Sequence, residues 1–156
     1  MKIDWPNPVT SEVVPAAGWT PDRRIDVTDW FADLDDQGYL MSPAAVEILE
    51  SFGKLALRPP EAPEALWGAD PIFFDPLEVG DGNYDRYADL EAKVGHRMSP
   101  LAAKSSGTSS LLILDDGRVV SDDVLGLRLL GTTFPEAVDL VLRRYRRPEF
   151  LLRYAR

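Results

Sequence analysis

Between Trp30 and Phe52 the apolar residues recur every three or four positions, the spacing of one helical face. Trp30, Phe31 and Leu34 form a stripe after Thr28, acids occupy the first turn, and Gly38 suits the left-handed residue that ends a helix. A second helix is predicted almost at once. Ser42 fits its N-cap and Pro43 its first position, and Ala45, Ile48, Leu49 and Phe52 share one face before Gly53. Short apolar runs at 55–57 and 72–74, bounded by prolines, read as strands. Asn83 is placed to cap a third helix, with Tyr84, Tyr87, Ala88 and Val94 on its apolar face and Gly95 at its end. Ser110–Leu114 and Arg118–Ser121 flank Asp116-Gly117, a pair that supplies the positive φ of a tight hairpin turn, and a further strand is predicted near Leu127–Leu130. Thr133 and Glu136 form a capping box ahead of Ala137, Val138, Val141, Leu142 and Tyr145. Residues 1–15 show neither period and read as an extended N-terminal arm, leaving 16–156 as a single domain. Helices and strands in this order predict an α+β fold.

A chain of 156 residues, 45% hydrophobic, can bury a core of its own without covalent or metal staples. The absence of cysteine removes disulfides, thiolate nucleophiles and thiolate metal ligands, and fits a reducing cytoplasm. The first residues lack the basic start and apolar stretch of a signal peptide, and no apolar run reaches membrane-spanning length, so a cytoplasmic protein is expected. The formal net charge of −9 repels phosphate backbones and attracts basic proteins. Arg143 to Arg156 holds six arginines against Glu149 alone, so the rest of the chain is more acidic than the total implies. Arg143, Arg144, Arg146 and Arg147 are assigned to the end of the last helix, where cations complement the macrodipole and pair with acids, rather than to nucleic acid.

Candidate chemistry is sparse. The one histidine, His96, follows a helix end, where it can serve the terminal carbonyls. The serines of 105–110 lie in a loop rather than on a strand-to-helix turn, and the Gly80-Asp81-Gly82 start of a dinucleotide motif fails at Asp85. Adjacent acids rarely converge, and the calcium-loop spacing is missing. No cofactor or metal is called for and no catalytic residue is assigned. The acid-rich turns are instead the pool of expected partner contacts: Asp35, Asp36, Asp81, Asp85, Asp115, Asp116, Asp122 and Asp123. Trp19, Trp30 and Phe52 are assigned to the core.

One order of residues is familiar. Ala17-Gly18-Trp19, Arg23-Arg24, Trp30, Gly38-Tyr39, the Ala44-Ala45 helix ending in Phe52-Gly53, and Leu55 are followed by Ile72, Phe74, Pro76, Gly95, Pro100, Leu114-Asp115-Asp116-Gly117-Arg118-Val119 and the terminal helix. Over roughly Ala16 to Tyr145 this resembles the third family of the SUKH superfamily, bacterial immunity proteins encoded beside polymorphic toxins. The chain departs from the pattern at Lys54, where a second glycine is expected, and at Val120, where an aromatic often closes the hairpin; the segment before Pro15 has no evident counterpart. The resemblance implies an α+β domain with a strongly bent antiparallel sheet and helices packed around it. It also implies a binding protein, not an enzyme, that occludes the active site of a cognate toxin, commonly a nuclease or nucleic-acid deaminase. The alternatives are a regulatory or scaffold module of the same fold and a hydrolase built on acids converging in a concave site. No direct nucleic-acid or membrane contact is expected, and the oligomeric state stays open.

Overall fold

A computed structural model describes residues 1–155 and contains α1 (Pro8–Ala16), α2 (Thr28–Gln37), α3 (Pro43–Phe52), α4 (Pro76–Gly80), α5 (Tyr84–Val94) and α6 (Phe134–Arg143). The strands are β1 (Ala56–Leu57), β2 (Ile72–Phe73), β3 (Met98–Lys104), β4 (Ser110–Leu114), β5 (Val119–Asp122), β6 (Gly126–Gly131) and β7 (Phe150–Arg153). They form one antiparallel sheet in sequence order, and its register shifts at Pro100/Ala102, Val119/Val120 and Leu127/Arg128. Each extra residue bends and twists its strand, which curves the sheet. The fold is α+β, as predicted.

Leu111-Leu112-Ile113-Leu114 is apolar on both faces because the sheet is covered on both sides. Leu111 and Ile113 join a core with Ile48, Phe52, Phe74, Phe134 and Val138, while Leu112 and Leu114 join a second with Leu34, Tyr39, Val79, Tyr87 and Leu90. Strand alternation thus divides one sequence run between two cores. Phe52 centres the first, stacked on Trp19 at 5.4 Å and edge-on to Phe134 at 5.1 Å. The Trp19 indole donates to the Ser51 hydroxyl at 2.7 Å, so its buried N–H is satisfied. Arg23 donates to the carbonyls of Ser51 and Gly53 and thereby caps the C-terminus of α3.

The caps that start α3 and α6 form as predicted: Ser42 accepts from the Ala45 amide and Thr133 from that of Glu136. The return half of the second box differs, since the Glu136 carboxylate accepts from the backbone and hydroxyl of Thr132. Asn83 does not cap α5 with its side chain, which donates instead to the Val79 carbonyl at 2.8 Å.

Two expectations are overturned. The N-terminal arm is not extended, because Asn7 caps α1, Pro8 takes its first turn and Val14 is buried. The Thr10 hydroxyl donates to buried Asp139 of α6 at 2.8 Å, and Arg143 holds the same carboxylate at 2.7 and 2.8 Å. The second is overturned only in part: Arg143 sits in the last turn of α6 and pairs with Asp139 as expected, whereas Arg144, Arg146 and Arg147 lie beyond the helix. Arg144 has φ 56° and ends α6, and its buried guanidinium donates to the carbonyls of Pro60 and Trp67. It fastens the proline-rich loop before β2. Arg146 and Arg147 likewise donate to the carbonyls of Leu130 and Leu66, so within 143–147 only Arg143 pairs with an acid among the described residues.

Candidate partner-binding surface

The sheet face covered by α2, α4 and α5 carries the largest concentration of predicted contact residues. At the end of α2 the chain must reverse beside Tyr84: Gly38 has φ 110°, and a side-chain carbon there would lie 2.9 Å from the Tyr84 ring, so both conformation and space demand glycine. Tyr39 then turns inward, edge-on to Tyr84 at 5.2 Å, and its hydroxyl donates to the Gly80 carbonyl at 2.7 Å. Burial, reinforced by the charges of Glu91 and Asp81, pushes its phenol up to about 12. Leu40, next in the chain, faces outward and is 60% exposed.

Gln37 ties this corner together, donating to Asp33 and Asp81 while accepting from the Gly82 amide, each at 3.0 Å. Asp35 and Asp36 on α2, Asp81 after α4 and Asp85 in the first turn of α5 are all exposed. The carboxylates of Asp35, Asp36 and Asp85 have no hydrogen-bond or ion-pair partner among the described residues, so their charges are not neutralised there.

From this corner a groove of about 510 Å³ runs past Leu40, Tyr84 and Glu91 to His96, Arg97 and Asp115. The β4–β5 turn closes its far end. There the Asp115 carboxylate meets His96 Nδ1 at 2.7 Å and accepts from the Arg97 amide, contacts that hold it below the ordinary carboxylate range. Asp116 accepts from the Arg118 amide and guanidinium. Both carboxylates shape the turn while remaining at the surface.

The remaining pair does not belong to this surface. Asp122 is 8% exposed and accepts from Arg86, Tyr87 and Tyr154, a buried staple between α5, β5 and the chain after β7. Asp123 is consumed by its own turn, accepting from the amides of Leu125 and Gly126 and from Arg128 at 2.8 Å. Burial pushes its carboxyl up, but those donors outweigh the burial and leave the pKa lowered. At the opposite end of β5 from Asp115, these two carboxylates are structural.

The profile of the SUKH-3 immunity protein family matches residues 6–143, most of the chain. The chain belongs to the SUKH-3 immunity protein family. The match begins at Pro6, so α1 lies within it, correcting the expectation that the segment before Pro15 has no counterpart. No curated protein and no solved structure matches the chain. A SUKH-3 immunity protein has a protein partner, and among the described residues no helix is long and apolar enough to cross a membrane.

For a SUKH-3 immunity protein, the features missed in the sequence are Leu40 and the groove itself. Leu40 lies between Gly38 and Ser42, outside either helical stripe, which was a usable hint that it has no place in a core. The groove had no local signal, because its walls come from the segment after α2, from α5 and the chain leading into β3, and from the β4–β5 turn.

Proposed function

We propose that this immunity protein neutralises a cognate toxin domain whose substrate cleft is basic, a nuclease or a nucleic-acid deaminase, by laying the acidic α2–α5 corner and its groove across that cleft. Asp35, Asp36, Asp81 and Asp85 steer the encounter, since like-signed charges gathered at one corner raise association rates with an oppositely charged cleft by roughly ten- to a thousandfold at low salt. Asp115 and Asp116 extend the same acidic rim. Leu40 supplies the apolar anchor that slows dissociation, in the arrangement of a desolvated contact ringed by polar groups. The reading needs no cofactor and no reacting group: the toxin is silenced because nucleic acid cannot enter an occupied cleft. The producing cell's cytoplasm is the place of action.

The single observation that carries this reading is Leu40, 60% exposed at one end of the groove, next in the chain to α2 and beside α5, whose Asp35, Asp36 and Asp85 are exposed and unpaired among the described residues. The test takes the toxin domain encoded beside this chain's gene and follows association at low and high salt. Reversing Asp35, Asp36, Asp81 and Asp85 to lysine together is expected to slow association about tenfold or more and to flatten its salt dependence. Leu40→Asp is expected to speed dissociation while the fold persists. Unchanged rates and salt dependence in the fourfold variant would place the interface elsewhere.

A further inference from the structure

On the other face of the sheet, beyond the end of α6, lies a pocket of about 270 Å³. Leu111, Leu130 and Val141 make its floor, Trp67 and Pro148 line its sides, and Lys104, Arg128 and Arg147 bring three cations to it. In a chain of net charge −9 this concentration is unexpected, and one carboxylate, Asp123, stands against it, already held by Arg128 at 2.8 Å. The Lys104 ammonium has no ion pair and no hydrogen bond among the described residues, and it lies 5.9 Å from the Trp67 ring centroid. Burial pulls its pKa down, opposed by the charges of Asp70 and Asp123. Arg147 donates to the Leu66 carbonyl at 3.1 Å and has no carboxylate partner among the described residues. The Ser109 hydroxyl is buried without a partner, although a buried polar group left unsatisfied is costly.

We propose that this pocket binds a compact organic carboxylate, a single ring bearing one carboxylate arm, with the anion between Lys104 and Arg147 and the ring against Trp67 and the aliphatic floor. Size and chemistry together select that class. A cavity of about 150 Å³ holds one benzene ring, so this space accommodates a ring with a short arm and is small for a nucleotide. An inorganic anion would satisfy the cations but leave the apolar floor uncovered, and a neutral ring would leave the ammonium unpaired. Because the pocket lies on the face opposite the acidic groove, it does not depend on where the toxin binds.

The probe is phenylacetate, titrated into the full chain and followed by amide and indole NMR shifts, with phenylacetamide and inorganic phosphate as comparators. Phenylacetate is expected to shift the Trp67 indole and the Ser109 and Leu111 amides with a Kd of about 1 mM or tighter, and to raise the melting temperature as mass action requires. Lys104→Met and Arg147→Ala are each expected to weaken it about tenfold without moving resonances in the Leu40 groove. The proposal is overturned if phenylacetate leaves those three resonances in place. It is equally overturned if phosphate or the amide matches phenylacetate, or if both variants bind as the parent does. Toxin binding is read separately, so failure here leaves the acidic surface untouched.

Discussion

Removing the Asp122 carboxylate tests whether the fold uses this residue as an internal staple. Its oxygens accept from Tyr154 at 2.6 Å, from Arg86 Nη2 at 2.8 Å and from Tyr87 at 3.0 Å, with Arg86 Nη1 closing a bidentate pair. Asp122→Ala leaves two phenols and a guanidinium without their common acceptor. Breaking a buried ion pair from one side costs about 3–5 kcal/mol. The Arg86 side chain is 44% exposed and regains water, which brings the expected loss to about 3 kcal/mol. In a domain of this size each kcal/mol is worth about 2–4 °C, so the melting temperature should fall by about 6–12 °C. Urea unfolding at neutral pH gives the free energy directly. The paired change Asp122→Leu with Arg86→Met should recover much of the loss, because it removes both charges together and leaves neither stranded. A loss below about 1 kcal/mol for Asp122→Ala, or a double variant as damaged as the sum of its parts, would refute the staple. Toxin association measured well below the melting temperature should be unchanged by the single substitution, in contrast to the fourfold reversal at the α2–α5 corner.

Three other outcomes follow from the same geometry. Thr10→Val should cost about 1–2 kcal/mol in urea unfolding, since it takes a hydroxyl donor from the buried Asp139 carboxylate, whereas a loose N-terminal arm would register nothing. Lys54→Gly should raise stability by up to about 1 kcal/mol in the same assay, because Lys54 holds φ 68°, where a β-carbon is strained, and gives up only an exposed cation–π contact with Trp30 at 5.8 Å. Tyr39, Tyr87 and Tyr154 all have phenols pushed above their ordinary value of 10.0, first by burial and then by nearby carboxylates. The folded chain therefore retains protons that the unfolded chain releases. Their contribution is fully present below about pH 10 and is lost as pH rises through the folded values, so melting temperature should fall steeply above that point and Tyr154→Phe should blunt the fall.

Much of this protein was readable because its cues act over a few residues. The Ser42 and Thr133 caps, the left-handed Gly38 and the Asp116-Gly117 turn each depend on neighbours within about one turn of chain, and each forms where the residue types demand. The family resemblance rode on the same landmarks and was correct. What escaped were elements whose stability comes from distant partners. β3 contains Pro100, a residue that argues against an interior strand until a bulge beside it absorbs the missing donor. β7 exists by pairing with β6, and α1 is held by Thr10 reaching Asp139 across 129 positions of chain. The acids divide in the same way. Nothing local distinguishes Asp122 from Asp115 or Asp36, and the sequence alone settled only that the chain would be strongly acidic and turn-rich. Which carboxylates stay at the surface and which are drawn inward was decided by tertiary structure: Arg86, Tyr87 and Tyr154 arrive beside Asp122 from more than 30 residues away, whereas no donor among the described residues reaches the Asp36 carboxylate. A carboxylate's environment is set by what the fold brings to it, and side chains so far apart in sequence meet only once the sheet and its helices have packed.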